Sequence, residues 1–269
     1  MKKITLFAIV LVVSMILAPI AATAADAPVA TRIIDSGTLR VGMTGSQPPY
    51  NFVAKNGETI GFEVDIANVL ADAMGVELKI VHKPFAELLP ALKKGEIDVV
   101  MSGMTMTPRR NLQAAFIGPY QVSGKSILTK SKTLAAIADT EDLDQTKVKI
   151  VALADSTSAD FVKKAWPEAQ FTAVKDYDAG VKMLLEGTAD ALVADYPICA
   201  LTILTHPEAE LVTLDRPLTL EPIGMAVPPG DTVFLNMMEN SFGTLELLGV
   251  LDQLEEKWFD RGDWLVALP

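Results

Sequence analysis

One arginine, one aspartate and a handful of hydroxyls are the residues in this chain whose types and places suit chemistry, and that chemistry is holding a zwitterion. Arg110 can grip a carboxylate through two parallel hydrogen bonds, which a lysine cannot reproduce. Asp195 can neutralise an ammonium. Thr105, Ser156 and Thr157 offer hydroxyls, and Ser156 and Thr157 open a helix whose free amide donors favour an anion. Taken singly, each has an ordinary explanation: Arg110 as a solvated helix arginine, Asp195 as a helix cap before Pro197, the hydroxyl residues as N-caps. Their joint placement at strand ends argues for a site. Enzyme signatures are scarce, with no Gly-x-Ser-x-Gly elbow, phosphate-cradling loop or dinucleotide fingerprint.

The elements that must position these residues alternate short apolar strands with helices. Residues 39–43 read as a strand, and Asn56-Gly57 as a hairpin turn between 50–52 and 59–60. A helical stripe runs from Val64 to Met74 and ends at Gly75. Residues 77–81 are expected as a strand, 86–94 as a helix and 97–101 as a buried strand, with Thr107 capping a helix that begins at Pro108. The second half repeats this pattern with strands at 148–153, 171–174 and 191–194, a helix capped by Ser156 or Ser158, and a helix over 178–186. Strands too apolar to face water imply mostly parallel sheets covered on both faces, an α/β architecture. Residues 92–101 and 184–193 share a helix end, a Gly-x-x-Asp turn and an apolar strand at an offset of 92, which points to two similar lobes. Ligands of open α/β sheets sit off the carboxyl ends of strands. That rule places Ser102, Gly103 and Thr105 on one edge of a cleft and Asp195 on the other.

Lys2 and Lys3, the apolar stretch Ile4 to Ile20 and Ala22-Thr23-Ala24 read as a cleaved signal peptide over 1–24, and hence a periplasmic protein. The remaining 269 − 24 = 245 residues would carry a formal charge of −13, two below the −11 of the whole chain. Such an acidic chain is a poor partner for nucleic acid. The single cysteine, Cys199, excludes an internal disulfide, stands too far from the signal to accept a lipid, and reads as a small buried hydrophobe. Neither His82 nor His206 has metal-ligand spacing, so neither a metal nor another cofactor is expected.

Gly61-Phe62-Glu63-Val64-Asp65-Ile66 with Leu70-Ala71 and Met74 resembles the signature of the periplasmic polar-amino-acid-binding family of ABC importers. Gly37 to Gly42, Pro48-Pro49-Tyr50, Phe85 with Leu88 to Leu92, Met101 to Thr107 with Arg110, and Pro119-Tyr120 are similar too. The resemblance implies a type II two-lobed periplasmic-binding-protein fold that closes on its ligand. Lobe one would use 25–121 plus 224–269 and lobe two 122–223, with hinges near 122–125 and 220–224. It implies a monomeric solute-binding protein, not an enzyme, that captures a free α-amino acid and delivers it to a membrane permease. Arg110 and Thr105 then fall on the α-carboxylate with the Ser156-Thr157 helix start opposite. Asp195 falls on the α-ammonium with carbonyls of Ser102 or Gly103, Phe85 is a side-chain wall, and Tyr50 also lines the cleft. Gln47 stands where many members stack an aromatic ring, Thr44 where some carry an acid, and Asp155 where a glycine is usual. The alternative is a cyclohexadienyl dehydratase-like enzyme on the same fold. It needs a general acid, and Ile198 occupies the natural place for one.

Overall fold

The computed structural model describes residues 27–130 and 145–269. The expected signal peptide, 1–24, lies outside the described residues, and no described helix is long and apolar enough to cross a membrane. Twelve strands are described: β1 (Thr38–Met43), β2 (Ser46–Gln47), β3 (Asn51–Val53), β4 (Thr59–Ile60), β5 (Glu77–His82), β6 (Val99–Val100), β7 (Ala115–Ser123), β8 (Lys125–Thr129), β9 (Lys149–Leu153), β10 (Gln170–Val174), β11 (Ala191–Asp195) and β12 (Glu221–Val227). They form a five-stranded sheet ordered β5-β1-β6-β12-β7, a four-stranded sheet ordered β10-β9-β11-β8, and a small antiparallel sheet β2-β3-β4. In the first, β1 lies parallel to β5 and β6 while β12 runs antiparallel to β6 and β7. In the second, β9 lies parallel to β10 and β11, and β8 is the antiparallel edge.

The second sheet shows why its strands read as continuous apolar runs. Ile127, Ile150, Ala152 and Val193 pack with Val162 and Trp166 on one face. Their strand neighbours Leu128, Val151, Leu153, Leu192 and Ala194 join the other cluster with Tyr177, Leu184 and Ile198. Successive residues point to opposite faces and both are covered, so no polar alternation survives. That second cluster also contains Leu39, Phe62, Leu88 and Val100 of the first lobe, so one apolar core runs between the lobes.

The internal repeat has a structural counterpart. Asp98 accepts the backbone N–H of Arg40 at 2.9 Å and donates its own N–H to the Arg40 carbonyl at 2.8 Å. Asp190 accepts the N–H of Lys149 at 2.8 Å and returns its N–H to the Lys149 carbonyl at 2.9 Å. In each lobe the aspartate after the helix-ending glycine staples the turn to a parallel strand of the sheet, β1 in one and β9 in the other. The two lobes therefore use the same local device.

The chain passes between sheets twice, side by side. Ser123 ends β7 opposite Glu221, and two residues later Lys125 begins β8. Lys125 N–H donates to Thr219 Oγ1 at 3.0 Å, and Leu218 N–H donates to the Lys125 carbonyl at 2.7 Å. A Cβ on Gly124 would lie 2.0 Å from the Thr219 carbonyl oxygen, so the two crossings touch backbone to backbone and only glycine fits. The expected strand over 97–101 is shorter than its apolar run, at Val99–Val100, because Met101 and Ser102 already turn toward the cleft.

Candidate functional site

The carboxyl ends of β1, β6, β9 and β11 converge on the seam between the lobes. Arg110 arrives there on α4 (Pro108–Asn111), whose cap is Thr107: its hydroxyl accepts the Arg110 N–H at 3.2 Å. The Arg110 guanidinium is 8% exposed and donates to the Thr105 carbonyl at 2.9 Å and to the Asp155 carbonyl at 3.4 Å. Its Cζ lies 5.5 Å from the centre of the Phe85 ring, an arrangement that favours a cation. No carboxylate of the described residues forms an ion pair with it. Burial pulls its pKa below the usual arginine value, partly offset by the fields of Glu221 and Asp195. The neighbouring Arg109 is exposed and pairs loosely with Asp160 at 3.7 Å.

Asp155 stands at φ +55°, a left-handed conformation that a short polar side chain tolerates better than most. That explains how an aspartate replaces the glycine expected there. The next residue, Ser156, caps α5 (Thr157–Ala165): its hydroxyl accepts the Ala159 N–H at 3.1 Å and donates to the Leu153 carbonyl at 2.6 Å. The serine is therefore engaged locally, and the hydroxyl that reaches the seam is that of Thr157.

Thr105 and Thr157 face each other across the lobes at 3.2 Å, and both donate to the carboxylate of Glu221, at 2.8 and 2.9 Å. Asp195, buried at the N-terminus of α7 (Tyr196–Thr205), makes no cap with its side chain. Instead its Oδ1 receives Lys125 Nζ at 2.6 Å, and the same ammonium lies 3.2 Å from Glu221. Burial opposes ionisation of Glu221, yet Lys125 and the two threonine hydroxyls hold its carboxyl below the usual range.

Behind this line sits a second polar network. Gln47 accepts from Thr44 at 2.9 Å and from the Ser102 hydroxyl, which also accepts the Thr44 N–H at 3.1 Å. Gly103 has φ +56°, and its N–H, the Asn51 amide and the Tyr120 hydroxyl all donate to the fully buried Glu63. Burial dominates, and pushes the Glu63 carboxyl up to about 7. Tyr50 packs edge-on against Phe259 and donates to Gln121 at 3.3 Å. Burial first, then the field of Asp195, raises its phenol pKa. Among the described residues no cluster of His, Cys, Asp and Glu could hold a metal ion. Cys199 is fully buried, and burial pushes its thiol up to about 12.

The structure thus brings Arg110, Thr105, Thr157, Phe85 and Asp195 to one seam. It sets Gln47, Ser102 and Gly103 just behind, Tyr50 in the wall, and Ser156 in a cap. Sequence reading missed Lys125 and Glu221. Each is a lone charge at the start of an apolar strand, before Ser126-Ile127-Leu128 and before Pro222-Ile223, which is an anomaly visible in the chain. Their pairing across 96 positions is not visible there.

The matches with known proteins agree with this fold. The chain is 25% identical over 227 residues to ABC transporter arginine-binding protein 1 of Escherichia coli (strain K12), covering 83% of this chain and 91% of that one. It is 28% identical over 229 residues to cyclohexadienyl dehydratase of Pseudomonas aeruginosa, covering 85% of each. A crystal structure of an ancestral amino acid-binding protein, described as a precursor of cyclohexadienyl dehydratase, superimposes with a TM-score of 0.78 at 35% identity over 86% of this chain and 99% of that one. The model of the bacterial extracellular solute-binding proteins, family 3, matches residues 39–261, and the chain belongs to that family.

Proposed function

We propose that this chain is the periplasmic solute-binding component of an ABC importer and captures a free α-amino acid between its lobes for delivery to a membrane permease. The observation that carries the proposal is Arg110: a buried guanidinium, set on an aromatic face, with no carboxylate partner among the described residues. A buried cation without an anion is costly, so the site is built to be completed by a ligand carboxylate. Asp195, which already receives Lys125 Nζ at 2.6 Å, gives the opposite pole for an ammonium.

The dehydratase relative raises a second reading, removal of a hydroxyl by a general acid in the same cleft. Such an acid must hold a proton near neutral pH. Glu221 is held below the usual carboxylate range, Ile198 lies one turn beyond Asp195, and the proton-retaining Glu63 lies in lobe one behind Gly103. These features support capture over dehydration.

Thermal shift against the twenty amino acids, their N-acetyl and methyl-ester derivatives, keto acids and prephenate tests the proposal. At about 100 times Kd a ligand adds about 2.7 kcal/mol, a rise in Tm of roughly 5–10 °C at this size. At least one free amino acid stabilises the protein and its blocked derivatives do not. Consumption of prephenate or arogenate with no amino acid shifting the melt would establish the dehydratase instead.

A further inference from the structure

The threonine hydroxyls beside Arg110 and the carboxylate of Asp195 are already engaged by the protein itself. The hydroxyls of Thr105 and Thr157 converge on a carboxylate, that of Glu221. The Asp195 carboxylate receives an ammonium, that of Lys125. Those two groups lie 3.2 Å apart, so an anion and a cation sit side by side as they do in an amino acid. Lys125 is 1% and Glu221 8% exposed, and each is the first residue after a crossing between the lobes. Three cavities flank the clamp on the seam, the smallest, of about 310 Å³, lined by Gln47, Phe85, Leu153 and Tyr177. One of about 830 Å³ is lined by Pro48, Phe52, Tyr177 and Ile198, and one of about 530 Å³ by Phe85, Met104, Arg110, Asp155 and Thr157. None of the three is lined by Lys125, Asp195 or Glu221. The middle of the cleft is filled by the ion pair.

We infer that Lys125 and Glu221 form an internal surrogate for the solute, which latches the lobes shut without ligand and which a solute must displace to occupy both poles. Glu221 belongs to the lobe-one sheet and bonds Thr157 and Lys125 of lobe two, so its carboxylate closes the seam as a bound carboxylate would. Thr105 holds the same oxygen from the lobe-one side, which keeps Glu221 aimed at the seam. The displacement half of this inference rests on the amino-acid reading above; the latch does not. A solute with only one charge replaces half of the pair and leaves the other half buried without its partner, so the device selects for solutes carrying both.

Spin labels at Leu112→Cys in lobe one and Lys164→Cys in lobe two, both exposed positions, report the separation of the lobes. The native Cys199 is fully buried and stays unlabelled. The protein is refolded from denaturant to strip copurified solute, and none is added. The latched protein gives one short distance. Glu221→Ala moves the distribution to longer distances, and Thr157→Val moves it the same way by less. Thr157→Val decides the matter alone if Glu221→Ala does not fold. A long distance before any substitution, or a distribution unchanged in the folded variants, overturns the latch. No solute enters this measurement, so a failed amino-acid screen and a failed latch are distinguishable.

Discussion

Two buried glutamates each accept hydrogen bonds from three neutral donors and behave oppositely. Glu63 accepts from the Tyr120 hydroxyl, the Gly103 N–H and the Asn51 amide. Glu221 accepts from the Thr105, Thr157 and Thr219 hydroxyls, with Lys125 Nζ 3.2 Å away. The first is pushed up to about 7 and the second held below the usual carboxylate range. Neutral donors alone do not offset desolvation of the fully buried Glu63, whereas an ammonium added to hydroxyl donors does so for the less deeply buried Glu221. Arg110 is the converse case, a buried cation with no acid paired to it among the described residues. Structural rigidity, latch and ligand site thus differ in which charge is missing.

Removing the ammonium is the largest test of this contrast. Lys125→Met leaves Asp195 and Glu221 buried without a cation and costs about 3–5 kcal/mol of stability at pH 7. In that variant Glu221 comes to resemble Glu63, its carboxyl rising above the ordinary range. A carboxyl raised in the folded state favours folding at low pH and loses that advantage as pH rises. The deficit measured by urea unfolding therefore shrinks from pH 7 toward pH 4, and a deficit independent of pH would break the comparison.

Arg110→Ala tests the missing acid. The amino acid identified by the screen loses about 2–5 kcal/mol of binding free energy, roughly 30- to 5,000-fold in Kd, by titration calorimetry. Arg110→Lys recovers only part, because a point charge cannot make the bidentate fork. Equal losses from Arg109→Ala would place the site on the wrong arginine.

Glu63 makes its own prediction. The folded protein keeps the Glu63 proton up to about pH 7, while the unfolded chain releases it near 4.5. Unfolding releases a proton in that window, so stability falls as pH climbs from about 4.5 to about 7 and is level above. The shift corresponds to about 3 kcal/mol as an upper bound. Glu63→Gln flattens the slope in urea midpoints taken across this range. An equal slope in that variant would assign the dependence to another group.

The smallest expected effect is the control. Arg109→Ala, at an exposed side chain with one loose ion pair, stays within about 0.5 kcal/mol in stability and leaves affinity nearly intact.

The architecture was legible because it rests on local rules. Gly75, Gly95 and Gly187 end helices at positive φ, Thr107 and Ser156 cap the helices they precede, and the Gly-x-x-Asp turn recurs in both lobes with the same backbone bonds. Candidate site residues were legible where a strand end and a hydroxyl, arginine or aspartate coincided. The Ser156 hydroxyl bonds its own helix and strand, the capping role that the residue order also offered. Lys125 was passed over: its charge at the head of an apolar strand is visible in the chain, but its partners are not.

By itself the amino-acid order determined the alternation of strands and helices, the two similar lobes and the rim on which Arg110 and Asp195 stand, because each depends on residues within a turn or two of one another. Only the tertiary structure decided which charges meet. Lys125 and Glu221 are 96 positions apart and Lys125 and Asp195 are 70, and they are joined because both crossings of the chain lie side by side. Ion pairs act over a few ångströms of space whatever the separation along the chain, so their partners belong to the fold.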